Sequence, residues 1–199
     1  MAVAGSFDES FDESLTKLVG PGPLQSFGPN GSSAPSADPS TTDRPLDSGR
    51  RRVLFVSSSG GHLSQLLQLR PWWVHHDRQW VTFDLPDARS KLEGETLVPA
   101  FHPTTRNLVN MARNTPLAHR VMRSFRPDVV ISNGAGVAFP FFGVAKLLGI
   151  PTVYLEVYDR IDSRTMTGRL CAPLSSLFLV QWPEQRALYE GSALVGPLY

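Results

Sequence analysis

From Arg51 onward the chain alternates short apolar runs with segments whose apolar positions recur every three or four residues. RVLFVS (52–57) reads as a buried strand, and LSQLLQL (63–69) as a helix with Leu63, Leu66 and Leu67 on one face. QWVTFD, ETLVPAF, PDVVIS, PTVYLE, LFLVQ and SALVG read as further strands. Between them, 105–125 is helical by periodicity, with Pro116 expected to kink or divide it. Helices are also expected over 137–148, over TMTGRLCAPLS and over PEQRALY, the last with Pro183 in its first turn. Continuous apolar strands alternating with helices predict an α/β fold: a Rossmann-like, mostly parallel sheet with helices on both faces.

Residues 1–50 break the pattern. They are rich in Ser, Pro, Gly and Asp, contain the direct repeat SFDESFDES, and carry few aliphatic side chains. Such a segment buries too little apolar surface to offset its chain entropy. It is expected to be a disordered tail that the fold does not need, with a single domain at 51–199.

Composition narrows the function classes. A net charge of +1 implies no bulk attraction to nucleic acid. A single cysteine, Cys171, excludes an intramolecular disulfide framework and fits a reducing, cytoplasmic setting. The longest apolar run, GVAFPFFGVAKLLGI, is interrupted by Pro140 and Lys146 and is too short to span a bilayer. No cluster of metal-ligand spacing occurs, and no cofactor is expected.

In a parallel sheet, ligands bind beyond the carboxyl ends of the strands, so the loops leaving those ends carry the candidate chemistry. After the first strand comes SSSGGH. Gly60 and Gly61 let a ligand approach the backbone, Ser59 can hydrogen-bond to it, and His62 stands where a neutral imidazole could act as a base or simply cap the turn. The adjacent glycine pair does not match the dinucleotide fingerprint, although Asp84 stands where its acid would, and no Walker loop occurs. After PDVVIS comes SNGAG, with Asn133, Gly134 and Gly136. Glu156 ends PTVYLE; it could orient a sugar hydroxyl, act as a base, or pair with Arg160 or Arg164. No acidic residue lies between Glu95 and Asp128, a span holding Arg106, Arg113, Arg120, Arg123 and Arg126. The seven-residue spacing of Arg106, Arg113 and Arg120 keeps them near one helix face, as suits anionic lipid, a pyrophosphate, or plain solvent.

SSSGGHLSQLLQL, PTTRN, RPDVVISNGAGVAFPFFGVAKLLGIPTVYLE, TMTGRL and FLVQWPE together resemble the acceptor-side subunit of split glycosyltransferases. That family includes the partner of the catalytic subunit in dolichol-linked oligosaccharide assembly and bacterial capsule and exopolysaccharide proteins. The resemblance implies the N-terminal half of a GT-B enzyme, similar to the acceptor domain of MurG-type proteins. It implies a chain inactive alone that recruits a separate glycosyltransferase chain carrying the UDP-sugar. It also implies a polyprenyl-pyrophosphate-linked acceptor faced by the loop of Ser59, Gly60, Gly61 and His62 and by that of Asn133, Gly134 and Gly136; Arg106, from the basic face, is a further candidate for binding it. From their places at the strand ends, His62 and Glu156 are the candidate catalytic residues, Gln181 and Trp182 are expected to face the partner, and contact at the inner membrane face would be peripheral. A structural recruiter without ligand contact and a nucleotide-cofactor Rossmann protein are the alternatives.

Overall fold

The computed structural model describes residues 4–19, 50–104 and 107–198. Seven parallel strands form one sheet: β1 (Arg52–Val56), β2 (Asp77–Thr82), β3 (Leu97–Pro99), β4 (Val129–Ser132), β5 (Thr152–Leu155), β6 (Leu177–Val180) and β7 (Ala193–Leu194). Their spatial order is β3-β2-β1-β4-β5-β6-β7. The chain builds outward from β1 to one edge, crosses back, and builds to the other. The α/β reading of the apolar runs therefore matches the structure.

Parallel strands need crossovers, and the crossovers cover the sheet. On one face, α2 (Gly61–Leu67), α3 (Arg70–Trp73) and α4 (Pro86–Lys91) set Leu63, Leu66, Trp72, Trp73, Ala88 and Leu92 against Val53, Phe55 and Trp80. On the other, α5 (Leu108–Phe125), α6 (Ala138–Leu147) and α7 (Met166–Cys171) cover Leu54, Val56, Val130 and Tyr154. Helix α8 (Pro183–Leu188) joins β6 to β7. Among the described residues no helix is long and apolar enough to cross a membrane.

Two expectations change. Pro116 does not divide its helix, because α5 runs through it unbroken. Residues 4–19, expected to be an unstructured part of the tail, form α1 (Ala4–Val19). Phe11 and Leu15, one turn apart, are buried in the first-face cluster beside Val129, Ile131, Val153 and Leu155. Phe11 meets Trp72 edge-on at 5.2 Å, and the Trp72 indole N–H donates to Asp12 at 3.2 Å. The reason lies in the connectivity. All the crossovers from β4 to β6 run on the opposite face, so these strands gain cover on the first face only from elements elsewhere in the chain. Residues 20–49 of the expected tail lie outside the described residues.

Burial of Phe11 makes α1 part of the fold. Phe11→Ala is expected to lower the unfolding free energy by ~3 kcal/mol, as removal of a fully buried aromatic ring does, measured by urea denaturation. A change under ~0.5 kcal/mol would mean that α1 is not docked in solution.

Candidate functional site

Because β1 pairs with β4, the loops leaving their carboxyl ends are neighbours. The first is shaped by Gly60, at φ 76°, a left-handed conformation that favours glycine. Its N–H donates to Asp87 Oδ2 at 2.8 Å, and its carbonyl accepts from both the amide and the hydroxyl of Ser64 at 3.0 Å. An amide expected to face a ligand is thus satisfied internally by a carboxylate of α4. Ser59 is half-buried and Gly61 exposed at the same turn.

In the second loop, Gly134 has φ 113° and Ala135 φ 59°. A Cβ at Gly134 would sit 2.8 Å from Tyr154 Oη, and one at Gly136 would sit 3.0 Å from the Thr104 backbone oxygen. These glycines are required by close packing, not only by turn geometry. Thr104 is brought there by three asparagines of the α5 region. Asn107 caps the helix through Asn110 N–H, the Asn110 amide donates to Pro103 O at 2.9 Å, and Asn114 pairs with both the N–H and C=O of Phe101.

The two loops lock together reciprocally. His62 Nδ1 lies 3.1 Å from the Asn133 carbonyl oxygen, and the Asn133 side-chain amide donates to the His62 carbonyl at 2.7 Å. A carbonyl can only accept, so Nδ1 carries the proton and Nε2 is the ring's free acceptor. Among the described residues Nε2 has no hydrogen-bond partner. Burial holds the His62 pKa below its ordinary value, against opposing hydrogen bonds to Asn133. The ring is therefore neutral at neutral pH, with a basic nitrogen on a residue that lines a cavity.

That cavity has a volume of about 230 Å³ and is lined by His62, Asn133, Tyr154, Glu156, Arg160 and Thr165, among others. Asn133 itself is fully buried, with its amide hydrogens used within the protein. Glu156 is also fully buried. Its oxygens accept from Val157 N–H at 3.0 Å and the Thr165 hydroxyl at 3.1 Å, and the Tyr189 hydroxyl bonds it too. Burial raises its pKa, with those bonds opposing. No ion pair to Arg160 or Arg164 forms among the described residues. The geometry gives Glu156 the task of anchoring the start of α7, whose Thr165 cap it holds.

Gln181 was expected to face a partner but is 1 % exposed. Its side chain donates to the Glu156 carbonyl and its backbone N–H to Gln185 Oε1, both at 2.8 Å, so its polar groups are used within the protein. Trp182 is half-buried, its indole donating to Tyr158 O at 2.8 Å. Tyr158, Ile161, Met166 and Leu170 are exposed. Arg106 lies outside the described residues. Gln65 and Asp87 were not legible as site residues, because their partners Asn133 and Gly60 lie 68 and 27 residues away in the chain; the three asparagines act within 13 residues but on a segment with no strand-end motif.

Residues 88–198 match the family model described as "Oligosaccharide biosynthesis protein Alg14 like". The chain belongs to this family. Over 179 residues it is 37% identical to the human "UDP-N-acetylglucosamine transferase subunit ALG14", covering 72% of this chain and 81% of that protein. It is also 28% identical over 170 residues to the Tolumonas auensis "UDP-N-acetylglucosamine--N-acetylmuramyl-(pentapeptide) pyrophosphoryl-undecaprenol N-acetylglucosamine transferase", covering 74% of this chain but 44% of that one. The crystal structure of MurG from Acinetobacter baumannii superposes with a TM-score of 0.57 at 18% identity, over 67% of this chain and 42% of MurG. That likeness establishes the GT-B-like fold, and this Alg14-family chain corresponds in extent to less than half of such an enzyme.

Packing at the site can be probed through glycine. A Cβ at Gly168 would collide with Glu156, Tyr189 and Thr165, whereas one at Gly143 in α6 meets nothing within 4 Å. Gly168→Ala should lower stability by ~1–3 kcal/mol. Gly143→Ala should raise it by ~0.5–1 kcal/mol through helix propensity. Thermal unfolding of the two variants distinguishes them, and equal effects would contradict the close packing around Glu156.

Proposed function

We propose that this chain is the acceptor-side subunit of a two-chain UDP-N-acetylglucosamine transferase. A separate glycosyltransferase chain would carry the UDP-sugar, and the acceptor would be a polyprenyl-pyrophosphate-linked saccharide. The observation that carries the reading is the cavity at the carboxyl edge of the sheet, lined by a neutral histidine with a free Nε2. Its place in an Alg14-family chain supports a partner, since the human relative it matches is named as a transferase subunit. His62 takes the proton from the acceptor hydroxyl as that oxygen attacks the sugar and UDP departs from the partner's side. Arg160, on the cavity wall, offers positive charge to a diphosphate. The exposed apolar side chains of the β5–α7 segment, Tyr158, Ile161, Met166 and Leu170, offer apolar surface to the partner chain.

Membrane contact is assigned to α5. Leu108 and Val109 project into solvent, 77% and 69% exposed. Arg113 and Arg120 line a groove of about 740 Å³ between this helix and β3. Arg113 lies over the Phe101 ring at 4.4 Å, and among the described residues neither arginine is paired with a carboxylate. Apolar side chains ahead of free cations suit an anionic bilayer surface.

The purified chain should show no transfer from UDP-N-acetylglucosamine to a lipid-pyrophosphate acceptor, and should gain it with its partner chain. Turnover by the single chain would overturn the two-chain reading. In the assembled pair, His62→Ala should cost ~10²–10⁴-fold in rate without loss of assembly. Because the His62 pKa is lowered, the pair's rate should stay level through neutral pH and fall only on the acid side of ~6.5. For the membrane, Arg113→Glu with Arg120→Glu should abolish sedimentation with anionic liposomes; unchanged sedimentation would locate the contact elsewhere.

A further inference from the structure

Beneath the locked loops lies a polar seam that packing alone does not call for. Val56 is paired with Val81 on β2 and with Ser132 on β4, so the next residues, Ser57, Thr82 and Asn133, stand side by side. Alternation along the strands turns all three toward the face covered by α2. Gln65, on α2 three residues after His62, is 2 % exposed and points back at them: Asn133 Nδ2 donates to Gln65 Oε1 at 3.0 Å. Every member of the seam is at least nine-tenths buried. Ser57 Oγ, Thr82 Oγ1, Asn133 Oδ1 and Gln65 Nε2 have no hydrogen-bond partner among the described residues.

Such groups are costly to bury, and Leu63 and Leu66 already dock α2 onto the sheet. What Gln65 adds is direction. The same Asn133 amide donates to both the His62 carbonyl and Gln65 Oε1. Holding that amide in one rotamer fixes the second loop against the first, and so keeps the Asn133 carbonyl within reach of His62 Nδ1.

We propose that Gln65 is a positioning residue: through Asn133 it clamps the two loops and holds His62 in its Nδ1–H tautomer, with Nε2 facing the cavity. Catalytic use of this clamp rests on the reading of His62 as the acceptor's base. The clamp itself does not. Histidine in water favours the opposite tautomer, with the proton on Nε2, so the enforced form is a spectroscopic signature of the clamp.

The test is long-range ¹⁵N–¹H correlation of the five histidines in the full chain, with His62 assigned from His62→Gln. The native chain should show His62 as Nδ1–H. Gln65→Met, which keeps volume but removes the acceptor, should shift His62 toward Nε2–H, and Gln65→Glu, which keeps an acceptor oxygen, should restore the native form. If Gln65→Met does not fold, Asn133→Ser removes the same amide while leaving the backbone carbonyl, and should give the same shift. A native tautomer in whichever of these two variants folds would overturn the clamp whatever the enzyme does. In the assembled pair, Gln65→Met should lower kcat roughly 10–100-fold with less change in KM, as expected for a misplaced group. A shifted tautomer with an unchanged rate would leave the clamp standing and remove His62 from the chemistry, so the two failures are separable.

Discussion

The pairing of β1 with β4 is the constraint on which the site depends. Four parallel register pairs, from Val53–Val129 to Val56–Ser132, bring together strands more than seventy residues apart. To either side the sheet grows in opposite directions, with β2 and β3 on one flank and β5 to β7 on the other. Only at this reversal do two loops emerge next to one another from strand ends with no crossover between them, and a cleft opens there. Here the cleft is closed from beneath by the hydrogen bonds between His62 and Asn133. Removing the register would leave two glycine turns without a common wall.

Rigidity around the cavity comes from polar groups that are buried and mostly satisfied. Tyr154 stacks on Phe178 at 4.8 Å, and Phe178 on Tyr189 at 4.3 Å. The Tyr189 hydroxyl and Glu156 both hold Thr165, which caps α7. Gln185 and Gln181 tie the following loop to the same carboxylate residue and its neighbours. A carboxyl group in such surroundings is expensive to ionise, which is why burial raises the Glu156 pKa. Its hydrogen bonds hold the backbone around Val157 and Thr165 in place.

Much of the fold was legible in the chain. The apolar runs of β1, β4 and β5 are buried along their length and that of β6 from Phe178 onward, as continuous hydrophobic strands between two helical layers must be. Helix α1 was not legible. Its four-residue repeat of Phe, Asp, Glu and Ser reads as solvated, and two apolar side chains a turn apart stabilise a helix only when a face is waiting for them. Gln181 looked like a surface residue because it follows an apolar strand, yet its side chain is buried and hydrogen-bonded to the Glu156 carbonyl.

The sequence by itself determined the alternation of strands and helices, the glycine turns at strand ends and the presence of His62 in one of them. These follow from short-range physics: periodic burial, positive φ and the span of a turn. Tertiary structure decided which nitrogen of His62 is basic, that Asp87 occupies the Gly60 amide, and that Asn133 and Glu156 work from within the protein. Hydrogen bonds are directional and reach about 3 Å. Their partners here lie 71 residues apart for His62 and Asn133 and 27 for Gly60 and Asp87, and only strand order brings them within that distance.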